Sequence, residues 1–250
     1  ALKAGKVDAF AAAEALLKIM LGEYPEVTYL DEKLGSPMQV GAIFPKNEDG
    51  RRHCDEYSEY LRKIKNNGTY DEILNIWYGE NEELKTVEDP GNLPAENGTL
   101  RIAVSDSLKP VSYQKGSMYT GYEIDFLTLF AEEYGYKLEL QGMAFDALIP
   151  SVESGKYDIG ASGIAITSER AESVTFTEPH FETYGVALIR SENADVSGKK
   201  TLDDFEHATI GIMTGTVFDT FAKEHFPNAK RAYYSLLPDM IVAVEQGKID

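Results

Sequence analysis

The chain has 250 residues, 43% hydrophobic and 26% charged, a globular composition with enough length for one large domain or two lobes with separate cores. Its 42 acidic residues outnumber 24 basic ones, for a formal charge of -18, which excludes nucleic acid and anionic membrane surfaces as favoured partners. One cysteine, Cys54, permits no internal disulfide, the four histidines are scattered, and no run reaches the roughly 18 apolar residues of a membrane span, so neither metal nor cofactor nor span is expected.

The opening, Ala1 to Asp8, reads ALKAGKVD, and the close, Ala243 to Asp250, reads AVEQGKID. Both end in Gly-Lys-aliphatic-Asp, an echo that points to similar domains in tandem and to a fragment cut from a longer array. Val7 to Ala11 reads as a short buried strand and Ala13 to Leu21 as a helix stopped by Gly22 and Pro25. Val27 to Leu30 and Met38 to Phe44 read as strands, the second ended by Pro45. An amphipathic helix from about Gly50 to Asn66 carries Tyr57, Tyr60, Leu61 and Ile64 on one face. Asn67-Gly68 breaks it, and Thr69 caps a second helix, Tyr70 to Tyr78, with Ile73, Leu74 and Trp77 aligned. Glu80 to Gly98, acidic and punctuated by Pro90, Gly91 and Pro94, reads as a linker.

Beyond it strands and helices alternate, which implies parallel sheets with helices on their faces. Leu100 to Val104, Lys137 to Leu140, Val174 to Phe176, Gly185 to Arg190, Thr209 to Met213 and Tyr233 to Ser235 read as strands. Tyr122 to Tyr134, Phe145 to Ser154, Leu202 to Phe205, Val217 to Glu224 and Pro238 to Gln246 read as helices, and Ser191 to Lys200 as a loop. The stretch that organises the rest is Tyr157 to Arg170, YDIGASGIAITSER: a strand, a bend at Ser162 and Gly163, and a helix start that Thr167 or Ser168 can cap. Arg170 there has two readings. Its planar fork beside free helix amides suits a carboxylate, or it pairs with a surface acid such as Glu172 or Glu178.

Taken together, RIAVSDSLKP (Arg101 to Pro110), GYEIDF (Gly121 to Phe126), FDALIPSVESGKYDIGASGIAITSER (Phe145 to Arg170), VTFTEPHF (Val174 to Phe181), TIGIMTGT (Thr209 to Thr216), GKVDAFAA (Gly5 to Ala12) and NNGTYDEILNIWYG (Asn66 to Gly79) resemble the type 2 periplasmic solute-binding proteins that serve polar amino-acid ABC importers. The resemblance implies an α/β fold of two lobes that close over a ligand by a hinge motion, and a protein exported from the cytoplasm. The order of segments differs from the family's, whose domain ends with the helix matching Thr69 to Tyr78. A circular permutant is therefore expected: residues 99–188 and 42–80 build lobe 1, 189–250 and 1–41 build lobe 2, and 81–98 link tandem repeats. A swapped dimer, each half completing a neighbour's, is the alternative to a monomer.

Carried over residue by residue, the resemblance assigns Arg170 to the ligand's carboxylate, helped by Ser162, Gly163 and the amide of Ala165. Met213, Thr216 and Val217 line the second lobe's turn. The family's acid for the ligand's ammonium falls on Ala13, which cannot accept a proton; adjacent Glu14, and Asp106 beside Ser105, are the candidate substitutes, and Leu108 stands where an aromatic wall often does. Tyr119, Tyr184 and Phe181 are further candidates for aromatic wall. The ligand expected is a small carboxylate, an amino acid or related compound. Three functions follow: a binding module working with a membrane permease, a ligand-sensing or ligand-free ectodomain fused to a signalling domain, and a dehydratase-like enzyme on the same scaffold. The last is weakest, because no acid/base pair is visible.

Overall fold

A computed structural model describes residues 9–14, 27–190 and 201–245. The opening octapeptide, most of the closing one, the helix expected beyond Glu14 and the loop expected from Ser191 to Lys200 lie outside the described residues. The chain divides into two compact units, one from Ala1–Met38 with Glu182–Asp250 and the other Gln39–Phe181. In chain order the strands are β1 (Ala9–Ala13), β2 (Val27–Val40), β3 (Ile43–Phe44), β4 (Thr99–Ser105), β5 (Ser107–Leu108), β6 (Ser112–Lys115), β7 (Met118–Thr120), β8 (Lys137–Met143), β9 (Ile159–Ala161), β10 (Thr175–Phe176), β11 (Phe181–Arg190), β12 (Thr209–Met213) and β13 (Lys230–Tyr234).

In Gln39–Phe181 the main sheet runs β10-β3-β9-β4-β8. β4 is parallel to both β8 and β9, and β3, from the opening segment, enters antiparallel between β9 and β10. Ile102, Ala103 and Val104 are wholly buried, as an unbroken apolar run in a strand covered on both faces should be. The helix Glu48–Asn67 packs on β3 and β10, and the helix Tyr122–Tyr134 on β8. The first starts two residues earlier than its apolar spacing predicts because Asn47 caps it, its side chain accepting from the Gly50 amide at 2.7 Å. Aromatic rings join the opening helices to Tyr122–Tyr134. Tyr57 meets Phe130 edge-on at 5.0 Å, Tyr70 stacks on Phe126 at 5.3 Å, and Trp77 Nε1 donates to Asp125 Oδ2 at 2.9 Å.

Three features depart from the sequence reading. A small sheet, β5-β6-β7, fills residues 107–120, where strands of two to four residues around Pro110 and Gly116 are too short to show a period. The strand expected at Val27 to Leu30 runs on as β2 to Val40, taking in the start of the one expected at Met38 to Phe44, whose end is β3; β2 passes through Gly35 at a φ of 71, a left-handed conformation that glycine adopts without strain. Residues 81–98, read as a linker, run along this unit: Pro90–Asn92 forms a 3-10 turn, Asn97 N donates to Gly135 O at 2.8 Å, and Lys85 is buried against Glu82 at 2.6 Å.

The unit from Ala1–Met38 and Glu182–Asp250 holds a sheet ordered β13-β12-β1-β11-β2 among the described residues. β1 lies parallel to β12 and antiparallel to β11. Leu34, Ile189, Phe205, Ile210, Ile212 and Phe218 make its core, and the helices Phe218–His225 and Leu237–Glu245 pack on β12.

Cys54 is buried in the larger unit, its thiol donating to Phe176 O at 3.3 Å, and burial pushes its pKa up to about 11. Because the thiolate is the nucleophile, the folded chain should resist iodoacetamide at about pH 8 and react only on unfolding. Equal alkylation rates with and without denaturant would contradict this placement.

Candidate functional site

β4 and β9 are parallel neighbours, with Val104 opposite Ala161, so the residues that follow them emerge at one sheet edge. Ligands of open α/β sheets collect beyond such carboxyl ends. Ser162 has no exposed surface. Its Oγ accepts from the Ser105 amide at 2.6 Å, lies 2.6 Å from Ser112 Oγ, and donates to Ala161 O. The hydroxyl that the resemblance assigns to the carboxylate thus ties β4, β6 and β9 together from inside.

Gly163 follows at φ 63, a conformation that disfavours any side chain, and its amide donates to Glu123 Oε1 at 2.9 Å. The same oxygen lies 2.9 Å from His180 Nε2, and both side chains are 1% exposed. Glu123 and His180 went unnoticed in the sequence as site residues, although both sit in quoted motifs, GYEIDF and VTFTEPHF. A buried carboxylate at the start of an apolar helix was the available signal, since such a group needs donors. Removing it as Glu123→Ala leaves the Gly163 amide and the His180 ring without their acceptor and should destabilise the fold by about 1–3 kcal/mol. A chemical denaturation curve measures this, and an unchanged midpoint would show that the pair does not hold the turn.

Ala165 faces Val40 across an antiparallel bridge whose hydrogen bonds run from Ile166 N to Gln39 O at 2.8 Å and from Gly41 N to Ile164 O at 3.0 Å. The two bonds run between flanking residues, so Val40 and Ala165 form a non-hydrogen-bonded pair and the amide and carbonyl of Ala165 point away from Val40. On that side stands Arg170, whose Nη1 donates to Ala165 O at 2.8 Å. Arg170 opens a helix of only four residues, Arg170–Ser173, too short for an appreciable dipole, and Thr167 Oγ1 accepts its amide at 3.2 Å. Burial lowers the pKa of the guanidinium, with the charge of Glu169 acting in the opposite direction. Of the two surface acids weighed as partners, Glu172 and Glu178, Glu178 is held by Arg62 Nη1 at 2.5 Å. A half-buried guanidinium beside an outward-facing amide is suited to an oxyanion.

The other candidates in this unit differ in character. Asp106 is half-buried, and its carbonyl accepts from Gln114 N at 3.0 Å. Leu108 is buried in β5, opposite Ser112. Tyr119 lies against Gly142, where an added Cβ would come within 2.7 Å of its ring, while Phe181 stacks on Tyr78 and leans on the buried Tyr122. A pocket of about 210 Å³ opens elsewhere, lined by Asn47, Asp49, His53, Arg101 and Asp158. There Arg101 clasps Asp158 with two prongs, at 2.7 and 3.0 Å, so its charges answer one another.

In the smaller unit, Ala13 ends β1 opposite Gly185 and packs against the core. Glu14 pairs with Lys33 Nζ at 2.7 Å. Met213 ends β12, and its carbonyl accepts from Thr216 N at 3.3 Å and Thr216 Oγ1 at 2.7 Å, which leaves that hydroxyl inside the turn. Gly215 takes a φ of 79, and Val217 leads into Phe218–His225. The described part of β1 and the β12 turn therefore reach the same edge, since the register of Ala9 with Ile210 brings Ala13 level with Thr214.

Parallel strands with helices on their faces and a chain divided into two units make an α/β architecture, and comparison with known proteins shows which. Residues 100–250 match the model of the bacterial extracellular solute-binding proteins, family 3. The chain belongs to that family. It is 30% identical over 169 residues to the "Probable histidine-binding protein" of Campylobacter jejuni, a match that takes in 68% of this chain and 64% of that protein, so the chain spans under two thirds of this relative's length. It resembles the crystal structure of an ancestral amino acid-binding protein, a precursor of cyclohexadienyl dehydratase, at 28% identity and a TM-score of 0.55, covering 62% of this chain and 69% of that one. A Streptococcus pneumoniae amino acid ABC transporter substrate-binding protein bound to L-arginine is 30% identical with a TM-score of 0.53, over 62% of this chain and 65% of that chain.

Proposed function

We propose that the chain is an extracytoplasmic solute-binding domain that takes a small carboxylate, an amino acid or a close relative of one, for an ABC importer. The observation that carries this reading is Arg170, half-buried against the Ala165 carbonyl at a strand-end turn. The relatives named for histidine and bound to arginine support an amino-acid-like ligand. An enzymatic role has one point in its favour, the ancestral precursor of a dehydratase among the similar structures, but that protein is itself described as amino acid-binding. In this reading Arg170 and the amide of Ala165 receive the acid.

A thermal-shift screen of amino acids and small carboxylates tests it. A true ligand at about 100 times its dissociation constant adds roughly 2.7 kcal/mol to stability. No stabilisation by any carboxylate would turn the reading towards a ligand-free ectodomain.

We also propose that the two parts of the chain are a permuted pair, 99–188 with 42–80 and 189–250 with 1–41, joined through 81–98. In its favour, the family match begins only at residue 100, while β1 fills a place between β12 and β11 and β3 one between β9 and β10. Light scattering giving the mass of one chain supports this arrangement; twice that mass would favour exchange between copies.

A further inference from the structure

The larger unit contains two Asn-Gly steps, Asn67-Gly68 and Asn97-Gly98, each followed by threonine and each with its asparagine exposed. At such a step an asparagine can condense with its own backbone, because glycine has no Cβ to hinder the approach of its nitrogen to the preceding side chain. Sequence alone does not rank two identical tripeptides. Their surroundings do. At the second step the groups that must move are tied: Asn97 Nδ2 donates to Tyr134 O at 2.8 Å, Asn97 N to Gly135 O at 2.8 Å, and Gly98 N, the attacking atom, to Ala95 O at 3.2 Å. Lys137 N also holds the Gly98 carbonyl, at 3.0 Å. At the first step Asn67 Nδ2, the group that would leave, makes no hydrogen bond among the described residues, and Oδ1 accepts from Thr69 N at 3.1 Å. A donor on that oxygen stabilises the charge that builds there during attack, as an oxyanion hole does. A Cβ added to Gly68, at φ 89, would meet nothing within 4 Å, so the joint has room to turn.

We propose that Asn67 is a self-modification site, at which the larger unit ages by deamidation in the joint between Glu48–Asn67 and Thr69–Tyr78, while the identical step at Asn97 is protected. The Gly68 nitrogen gives its proton to solvent and forms a bond to Asn67 Cγ. The Cγ–Nδ2 bond breaks, and Nδ2 takes a proton from solvent and departs as ammonia. Water then opens the cyclic imide at either carbonyl. Opening at Cγ gives aspartate, which keeps an acceptor for Thr69 N and leaves the joint intact. Opening at the main-chain carbonyl gives isoaspartate, which routes the backbone through the side chain and lengthens it by a carbon. That change falls directly before the helix whose Tyr70 stacks on Phe126 and whose Trp77 donates to Asp125.

The test is peptide mapping of the whole folded chain after incubation in mildly alkaline buffer, beside the same chain in denaturant. Trypsin separates the two steps into residues 66–85 and 86–101, and mass spectrometry reads the loss of amide in each. In denaturant both should convert at similar rates, because glycine and threonine follow both asparagines. In the folded chain Asn97 should lag about tenfold, the effect of breaking the ordinary hydrogen bonds of Asn97 Nδ2 and Gly98 N first. The melting point of the incubated chain should fall as isoaspartate accumulates. Fresh Asn67→Asp should melt with the wild type, and Asn67→Gln, whose longer side chain disfavours ring closure, should hold its melting point through the incubation. Equal rates at the two steps in the folded chain, or faster loss at Asn97, would overturn the proposal, as would a fall in melting point that Asn67→Gln does not prevent.

Discussion

Trp77→Ala is expected to destabilise the chain by about 3–5 kcal/mol, the usual cost of emptying a large buried aromatic site. Trp77 has no exposed surface, meets Tyr113 edge-on at 6.4 Å and donates to Asp125 at 2.9 Å. Melting followed by circular dichroism should fall by something on the order of 10 °C. The loss should also depend on pH. Burial raises the pKa of Asp125, and the Trp77 hydrogen bond opposes that rise. A carboxyl whose folded pKa lies above its unfolded value favours the native state at low pH and loses that contribution as pH rises. Without the indole donor the folded pKa climbs further, so the deficit of the variant should widen from about pH 4 towards neutrality. Because Trp77 belongs to the opening segment and Asp125 to the segment beyond residue 98, a melt within about 2 °C of wild type would mean that these two parts do not share a core in solution.

Arg170→Ala should remove most ligand affinity. Truncating one partner of a buried, hydrogen-bonded charge pair costs about 2–5 kcal/mol or more, so a micromolar ligand would become undetectable or nearly so. The fold should tolerate the change better than the ligand does, because Arg170 opens a helix of only four residues, at a turn on the edge of the sheet. Arg170→Lys separates charge from geometry: a lysine keeps the charge without the planar fork, and should recover only part of the binding. Titration calorimetry on the three proteins measures the series. Equal affinity in wild type and Arg170→Ala would assign the carboxylate to another group.

Much of the fold could be read from sequence because the larger unit is built from long periodic elements. The helix Tyr122–Tyr134 has its expected ends, since the left-handed Gly135 follows it and Gly121 precedes it with no room for a Cβ, 2.3 Å from Val111 O. Short elements were less visible. β3 and β5 have two residues each, and no periodicity exists over two residues. The strand-end turns that carry the candidate residues could be read from sequence, but not the hydrogen bonds of their side chains. Ser162 and Thr216 are small hydroxyl residues in strand-end turns, and sequence cannot tell whether such a group faces a ligand or, as here, bonds a neighbouring carbonyl and closes its own turn. Glu14 was visible as the only acid beside Ala13, but its partner Lys33 comes nineteen positions later on β2, and only the sheet order brings them to one face. Glu123 and His180, 57 positions apart, were hidden for the same reason.

The most direct measurement is a crystal structure of the chain with the tightest carboxylate from the screen. The account predicts the ligand's acid oxygens within about 3 Å of the Arg170 guanidinium and the Ala165 amide. A carboxylate seated on other donors, with Arg170 out of its reach, would contradict it.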